Sequence, residues 1–228
     1  MFETWHQTPM NQEETKIRVL LAAGEVFAER GFQDSTIREI CRRAGANVAS
    51  VNYHFQDKER LYRVVILHAH QMAVEGAPLP DWSPETPPET RLRDFIRTML
   101  TRMLDTQRLP WQAQLMIREM FQPTGACQEL VEEYIRPHFR ILLEILDDLL
   151  PPGTAEDRRY KLAFSIVGQC MFYKLHQIMI GMLIAREELD AEFTTPQLAD
   201  HIADVTLAAL GIRPLFAANH APTATGAK

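Results

Sequence analysis

Cysteine is scarce in this chain: Cys41, Cys127 and Cys170 are its three among 228 residues, and no C-x-x-C pair occurs. An odd, scattered set excludes a disulfide framework and a zinc-ribbon site, and it fits a reducing compartment, so a cytoplasmic protein is expected. Glycine (10) and proline (14) are too few for a collagen-like or low-complexity chain. Positive charge is in deficit: 24 Lys and Arg stand against 30 Asp and Glu, a net of −6. The whole molecule is therefore no basic nucleic-acid-binding protein, and any such function must be local. The first 12 residues have no basic region followed by an apolar one, so no secretory signal is expected. Uninterrupted hydrophobic runs are absent as well. Residues 162–185 are mostly apolar and long enough to span a bilayer. Lys174, His176 and Gln177 sit in their middle, with Gln169 close by, and a central lysine is costly in a lone membrane helix. A buried helix and no membrane partner are expected. Catalytic fingerprints (HExxH, GxSxG, a P-loop, a Rossmann glycine motif) are missing. Glu132-Glu133 and Asp147-Asp148 read as solvated acid pairs. His68 and His70, two apart on a helix, do not face one another. The expectation is a non-enzyme with no cofactor and no metal.

What is present is helical periodicity. Apolar residues recur at three- and four-residue spacing almost throughout, with no clean alternating strand pattern, which points to an all-α fold. Ile17, Leu20, Leu21, Gly24, Phe27 and Ala28 line one face of a first helix over 11–30, with Gly31 as its stop. Ile37, Ile40, Cys41 and Ala44 mark a second helix ended by Gly45. Its start carries a capping box, Thr36 with Glu39. A short third helix covers 48–54, with Val48 and Val51 inward. A fourth starts at Lys58, with Asp57 as N-cap. Residues 76–89 hold five prolines in fourteen and admit no helix. The organisation expected is a helix-turn-helix domain over 11–75, a Pro-rich connection over 76–90, a larger helical ligand-binding and dimerisation domain over 91–214, and a disordered tail over 215–228. Helices in the larger domain are expected at 91–106, 110–121, 126–150, 154–186 and 196–210. Thr154 with Asp157 would start the fourth of these, and Thr195 before Pro196 the last.

Two short helices joined by Gly45-Ala46-Asn47 and packed on a longer one make a helix-turn-helix, whose second short helix enters a DNA major groove. That helix leaves Ala49, Ser50, Asn52 and Tyr53 outward, with His54 at its end. Asn can bond adenine bidentately, Ser is permissive, and Ala can meet a thymine methyl. For this group the plain alternative is an ordinary solvated helix face, and for His54 a structural hydrogen bond. Between Arg30 and Arg63 stand seven Lys or Arg against four acids, a local net of about +3. From Ala73 onward the balance is −6. Thr36 and Lys58, at helix N-termini, are candidate phosphate contacts.

The run TIREICRRAGANVASVNYHFQDKERLY (Thr36 to Tyr62) resembles the DNA-binding signature of the TetR/AcrR family of bacterial transcriptional regulators. Tyr53-His54-Phe55, Asp57-Lys58 and Leu61-Tyr62 fill its aromatic-His-Phe, polar-Lys and Leu-aromatic places. AERGF (Ala28 to Phe32) matches the end of the family's first helix. The resemblance implies a homodimer that binds a near-palindromic double-stranded operator and usually represses. Contacts then fall at Thr36, Asn47, Ala49, Ser50, Asn52, Tyr53, His54 and Lys58. Many members carry a second aromatic where this chain has Asn52, so Asn52 is the candidate for altered specificity. Two further stretches, 117–139 and 164–177, are similar to the C-terminal domain of the CecR-like (CerR) branch, which implies small-molecule binding and dimerisation.

Eight of the ten methionines lie between Met72 and Met182. They read as core packing or, with the aromatics, as the lining of an apolar effector cavity. The candidate lining is Met103, Trp111, Met116, Met120, Phe121 and Phe172, with Arg118, Gln169, Tyr173 and His176 as polar anchors. For His176 a satisfied core histidine is the competing reading. Phe164, Gly168, Met171, Leu175, Leu198, Ile202 and Val205 are candidate dimer contacts in a four-helix interface, or else interior residues of one subunit. The function that follows is a ligand-released repressor. The alternative is a DNA-binding architectural or partner-docking protein without a small-molecule ligand.

Overall fold

The structure is a computed structural model, and it describes residues 10–104 and 109–215. The expected tail lies almost wholly outside these. Among the described residues the chain is α-helical, with no strand. The helices are α1 (Met10–Asp34), α2 (Ile37–Ala44), α3 (Val48–Phe55), α4 (Lys58–Gly76), α5 (Pro88–Leu104), α6 (Pro110–Phe121) and α7 (Gly125–Leu130). A π-helical turn (Val131–Ile135) runs into α8 (Arg136–Leu149). Then come α9 (Glu156–Leu175), α10 (Gln177–Leu183), α11 (Arg186–Glu192) and α12 (Thr195–Ala209).

The chain forms two compact units. Within the described residues, one gathers everything up to Gly76 with 109–138. The other gathers 77–104 with 139–215. Residues 109–138 thus pack with the N-terminal helices, although the proline-rich boundary assigns them to the C-terminal domain.

In the first unit α1 is the hub. Val19, Ala23, Val26 and Phe27 are fully buried, and they meet Ile40 of α2, Val51 and Phe55 of α3, Leu61 and Val65 of α4, and Leu115 of α6. The face read from the sequence was too narrow: Ile17 is half exposed, and the core side turns to Val19, Ala22 and Val26. With α2, α3, α4 and α6 all packed on it, α1 buries most of its circumference rather than one stripe. Gly24 sets the approach of α6, since a Cβ there would lie 2.6 Å from the Trp111 ring.

In the second unit α12 packs along α5. Leu198, Ile202 and Leu207 meet Leu92, Ile96 and Leu100, with Leu142 and Leu146 of α8 and Ile166 of α9 completing the core. Arg93 bridges Asp200 and Asp204 across the same pair. The proline-rich stretch folds back here, with the Trp82 indole donating to Asp94 at 3.1 Å and Arg102 donating to the carbonyl of Ala77 at 2.8 Å.

Three local expectations change. The single helix over 154–186 breaks at His176 (φ −111°, ψ 21°) and again at Ile184–Ala185. Thr154 turns its hydroxyl to the carbonyl of Pro151, so α9 starts at Glu156 with Ala155 as its N-cap and no side-chain cap bond. The cap of α12 is Thr194, in a reciprocal box with Gln197, one residue before the Thr195 expected. None of the described helices is long and apolar enough to cross a membrane.

Candidate nucleic-acid interface

The helix-turn-helix is built by local chemistry. Gly31 leaves the helical conformation inside α1 at φ 78°, a left-handed value that favours glycine. Thr36 then caps α2, accepting from the Glu39 N–H at 3.2 Å. The return half of the expected capping box is missing, because Arg42 and Arg43 hold the Glu39 carboxylate instead, at 3.0 and 3.1 Å. These guanidiniums keep the Glu39 carboxyl down to about 2. Gly45 ends α2 in the left-handed region (φ 59°), and its N–H reaches the carbonyl of Cys41. Asn47 caps α3 through its side-chain oxygen, 2.7 Å from the Ser50 nitrogen. Asp57 caps α4, accepting from the Arg60 N–H at 2.8 Å.

On α3 only Val51 and Phe55 are buried. Ala49 and Asn52 are exposed, Ser50 and His54 half-buried, and Tyr53 is 72% exposed, edge-on to His54 at 5.0 Å. A tyrosine that open contributes little to the core. Val48 was expected inward, yet it is 46% exposed; Val51 and Phe55 alone carry the buried face of α3. Thr36 and Asn47 are exposed and already act as caps, each with side-chain polar atoms left for a second partner.

Lys58 is already engaged within the chain. Its ammonium donates to the carbonyls of Phe32 (2.8 Å), Ser35 (3.0 Å) and Gln33 (3.4 Å), and it lies over the Phe32 ring at 4.5 Å. These carbonyls hold its ammonium, so in the free chain it closes the α1–α2 turn. Most of the other local cations are also paired: Arg43 with Glu29 at 2.5 Å, Arg30 and Arg42 with Glu39, Arg63 with Glu59, and Arg60 with Gln56. Arg38, exposed in the first turn of α2, has no such partner among the described residues. Sequence reasoning missed it; the available signal was a helix position with no acid three or four residues on.

The candidate effector residues divide between the two units. In the first, Trp111 is buried against Gly24 as core, Met116 packs on that core, and Met120 and Phe121 are exposed. Arg118 and Phe121 come together with Gln114, Ile117 and Gln122 around a shallow hollow of about 280 Å³. In the second, Met103 and Tyr173 pack on the core. Gln169 donates to the carbonyl of Ser165 at 3.3 Å, and His176 stacks on the half-exposed Phe172 at 4.5 Å. His176 ends α9 half-buried, with its Nδ1 3.1 Å from the carbonyl oxygen of Phe172.

The candidate dimer residues also divide. Leu198 and Ile202 are buried in their own subunit, where α12 lies against α5, so their apolar periodicity serves the internal core. Val205, Met171 and Leu175 are half-buried, whereas Phe164 is 61% exposed and Gly168 is open, with nothing within 4 Å of where its Cβ would stand. Cys170 is fully buried, and burial pushes its thiol up to about 12; burial also raises Cys127. Neither offers a thiolate near neutral pH.

Comparison with known proteins bears on this geometry. Residues 19–65 match the family described as bacterial regulatory proteins, tetR family. Residues 88–210, over half of the chain, match the C-terminal domain of the HTH-type transcriptional dual regulator CecR. The HTH-type transcriptional repressor BepR of Brucella suis biovar 1 is 38% identical over 60 residues. That match covers 26% of this chain and 29% of the repressor, so the chain aligns with under a third of that relative's length. A tetR-family regulatory protein of Rhodococcus RHA1 shares the fold at a TM-score of 0.61 and 17% identity, covering 87% of this chain and 96% of that one. AibR, solved with isovaleryl coenzyme A and operator DNA, shares it at 0.59 and 18%, covering 84% and 97%. With a capped recognition helix, the family's N-terminal pattern and its C-terminal domain all present, this chain belongs to the TetR family of bacterial transcriptional regulators and carries a CecR-type C-terminal domain.

Proposed function

We propose that the protein is a homodimeric, cytoplasmic repressor that leaves a palindromic operator when a small, largely apolar molecule binds. The observation that carries the DNA half is α3, anchored by buried Val51 and Phe55 and presenting Ala49, Asn52 and Tyr53 to solvent. Asn52 and Tyr53 read bases, Ser50 and His54 flank them, and Thr36, Arg38 and Asn47 meet the phosphate backbone. Two copies of α3 in a dimer would enter successive major grooves, about 34 Å apart.

The dimer reading rests on an apolar face. Tyr160, Phe164, Gly168 and Phe172 follow at four-residue spacing along α9, and Ile178, Met182 and Leu183 of α10 are at least three-quarters exposed. Such a face fits its own copy across a two-fold axis, with Gly168 allowing close approach. For the effector, the hollow on α6 offers Ile117 and Phe121 to an apolar body, and Arg118, Gln114 and Gln122 to an acceptor group. Effector and operator oppose each other by linkage, so each weakens the other by the same factor. α4 is the lever in this reading, because it starts at the recognition helix.

The test is selection of duplexes from a random-sequence pool by the full chain. The reading expects an inverted repeat with half-sites one helical turn apart, bound by two chains. A selection that yields no repeat, or one-to-one binding, contradicts it.

A further inference from the structure

The helix-turn-helix does not stand alone in its unit. α6 touches both α1 and α4, and two adjacent residues near its end make polar contacts to them. Arg118 reaches the carbonyl of Glu29 at 3.3 Å, and a Cβ at Gly31 would stand 2.7 Å from its guanidinium. Glu119 turns the other way. It is 1% exposed, and its carboxylate accepts from the Tyr62 hydroxyl at 2.7 Å, from the Thr124 N–H at 2.8 Å and from the Thr124 hydroxyl at 2.9 Å. Such a group is rarely buried unless fully partnered. Here its partners are one residue of α4 and the N-cap of α7.

Tyr62 carries the contact onward. Its ring meets Phe27 edge-on at 4.8 Å and Phe32 at 5.0 Å, and Phe32 is the ring under the Lys58 ammonium. Tyr62 lies in the first turns of α4, seven residues after the buried Phe55 that ends α3. A rotation of α4 that broke the Tyr62–Glu119 bond would strand a buried carboxylate, so the bond fixes the rotation of α4 and hence the pose of the recognition helix.

We infer that Glu119 is a positioning residue for DNA binding, acting through Tyr62, and that α6 and α7 belong to the DNA-reading unit. Sequence contiguity would place them in the effector domain instead. The inference rests on the DNA-binding reading above. It is also distinct from the identity of the effector, because it concerns the chain alone.

The test uses the full chain and a duplex it selects from a random pool. Tyr62→Phe, Glu119→Gln and the double variant are compared with Leu115→Ala, a core change one turn before Glu119 on α6 that removes neither partner of the bond. Each is assayed well below its own Tm, against the selected duplex and a scrambled one. The expected result is a loss of about tenfold in the selected-to-scrambled affinity ratio for either single variant. The double variant should lose no more than the singles, since both act through one bond. Leu115→Ala should keep its ratio despite a lowered Tm. An unchanged ratio in the single variants, additive losses in the double, or an equal loss in Leu115→Ala overturns the positioning role. Failure of the wild-type chain to select any duplex overturns the DNA-binding reading itself, and this inference with it.

Discussion

The Lys58 ammonium lies 2.8 Å from the carbonyl oxygen of Phe32 and 4.5 Å from the centre of that residue's ring. One side chain thus ties the start of α4 to the end of α1, and α2 and α3 are held in the loop between them. The expected consequence of Lys58→Met is lost stability, about 2–3 kcal/mol for a charged hydrogen-bonding group and a cation–π contact. The slope of log affinity against log salt should stay as in wild type. A phosphate contact at Lys58 would instead lower that slope by about 0.9. Denaturant melts and salt titrations separate the two.

Asn52 is exposed in the middle of α3 and makes no side-chain contact that the fold needs. Asn52→Ala should leave Tm unchanged and relax preference at one base pair per half-site, by about 1–3 kcal/mol. Competition among single-base variants of the selected duplex measures this. A uniform loss across all bases would remove Asn52 from base reading.

At Gly24 two effects oppose each other. Alanine is the better helix former by about 0.8–1 kcal/mol. Its Cβ, however, would stand 2.6 Å from the buried Trp111 ring, and overpacking costs about 1–3 kcal/mol. The clash is with a ring rather than the tip of a flexible chain, so Gly24→Ala should destabilise on balance. Trp111→Leu in the same chain should cancel most of the penalty of the alanine. A stabilised Gly24→Ala would show that α6 sits further from α1.

Glu39 gives a pH dependence with a definite sign. Its carboxyl falls from 4.5 to about 2 in the folded chain, through hydrogen bonds from Arg42 and Arg43. A depressed folded value means the pairing contributes fully above about 4.5 and is lost as pH falls through about 2. Tm of the Glu39→Gln variant should therefore fall less steeply than wild type between these limits. Parallel curves would mean the two arginines do not favour the ionised form.

The apolar face of α9 and α10 predicts that Phe164→Asp with Ile178→Asp yields a monomer in sedimentation, with helix content intact. An unchanged dimer would place the two-fold axis elsewhere.

The legible parts of this molecule were those with local signals. Gly45 and Asp57 each mark a helix end by their own backbone or side chain, and the structure uses each one so, whereas Gly31, expected to stop α1, kinks it three residues before its end. Partners remote in sequence were not legible. Tyr62 and Glu119 meet across 57 positions, and nothing near either residue announces the other. Lys58 has the same history: a lysine at a helix start invites a phosphate, but the carbonyls of Phe32, Gln33 and Ser35 reach it first. Leu198 and Ile202 show a third limit, since a helical apolar stripe looks the same whether it faces its own α5 or a second subunit.

The most direct test of the account is binding of the full chain to a labelled duplex from upstream of its own gene, at two salt concentrations, with a scrambled duplex of equal length as control. The account predicts tight, salt-sensitive binding to the first and weak binding to the second, and loss of that difference in a chain carrying both Asn52→Ala and Tyr53→Ala. Equal affinity for the two duplexes, unaffected by those substitutions and repeated for a pool-selected duplex, would contradict it.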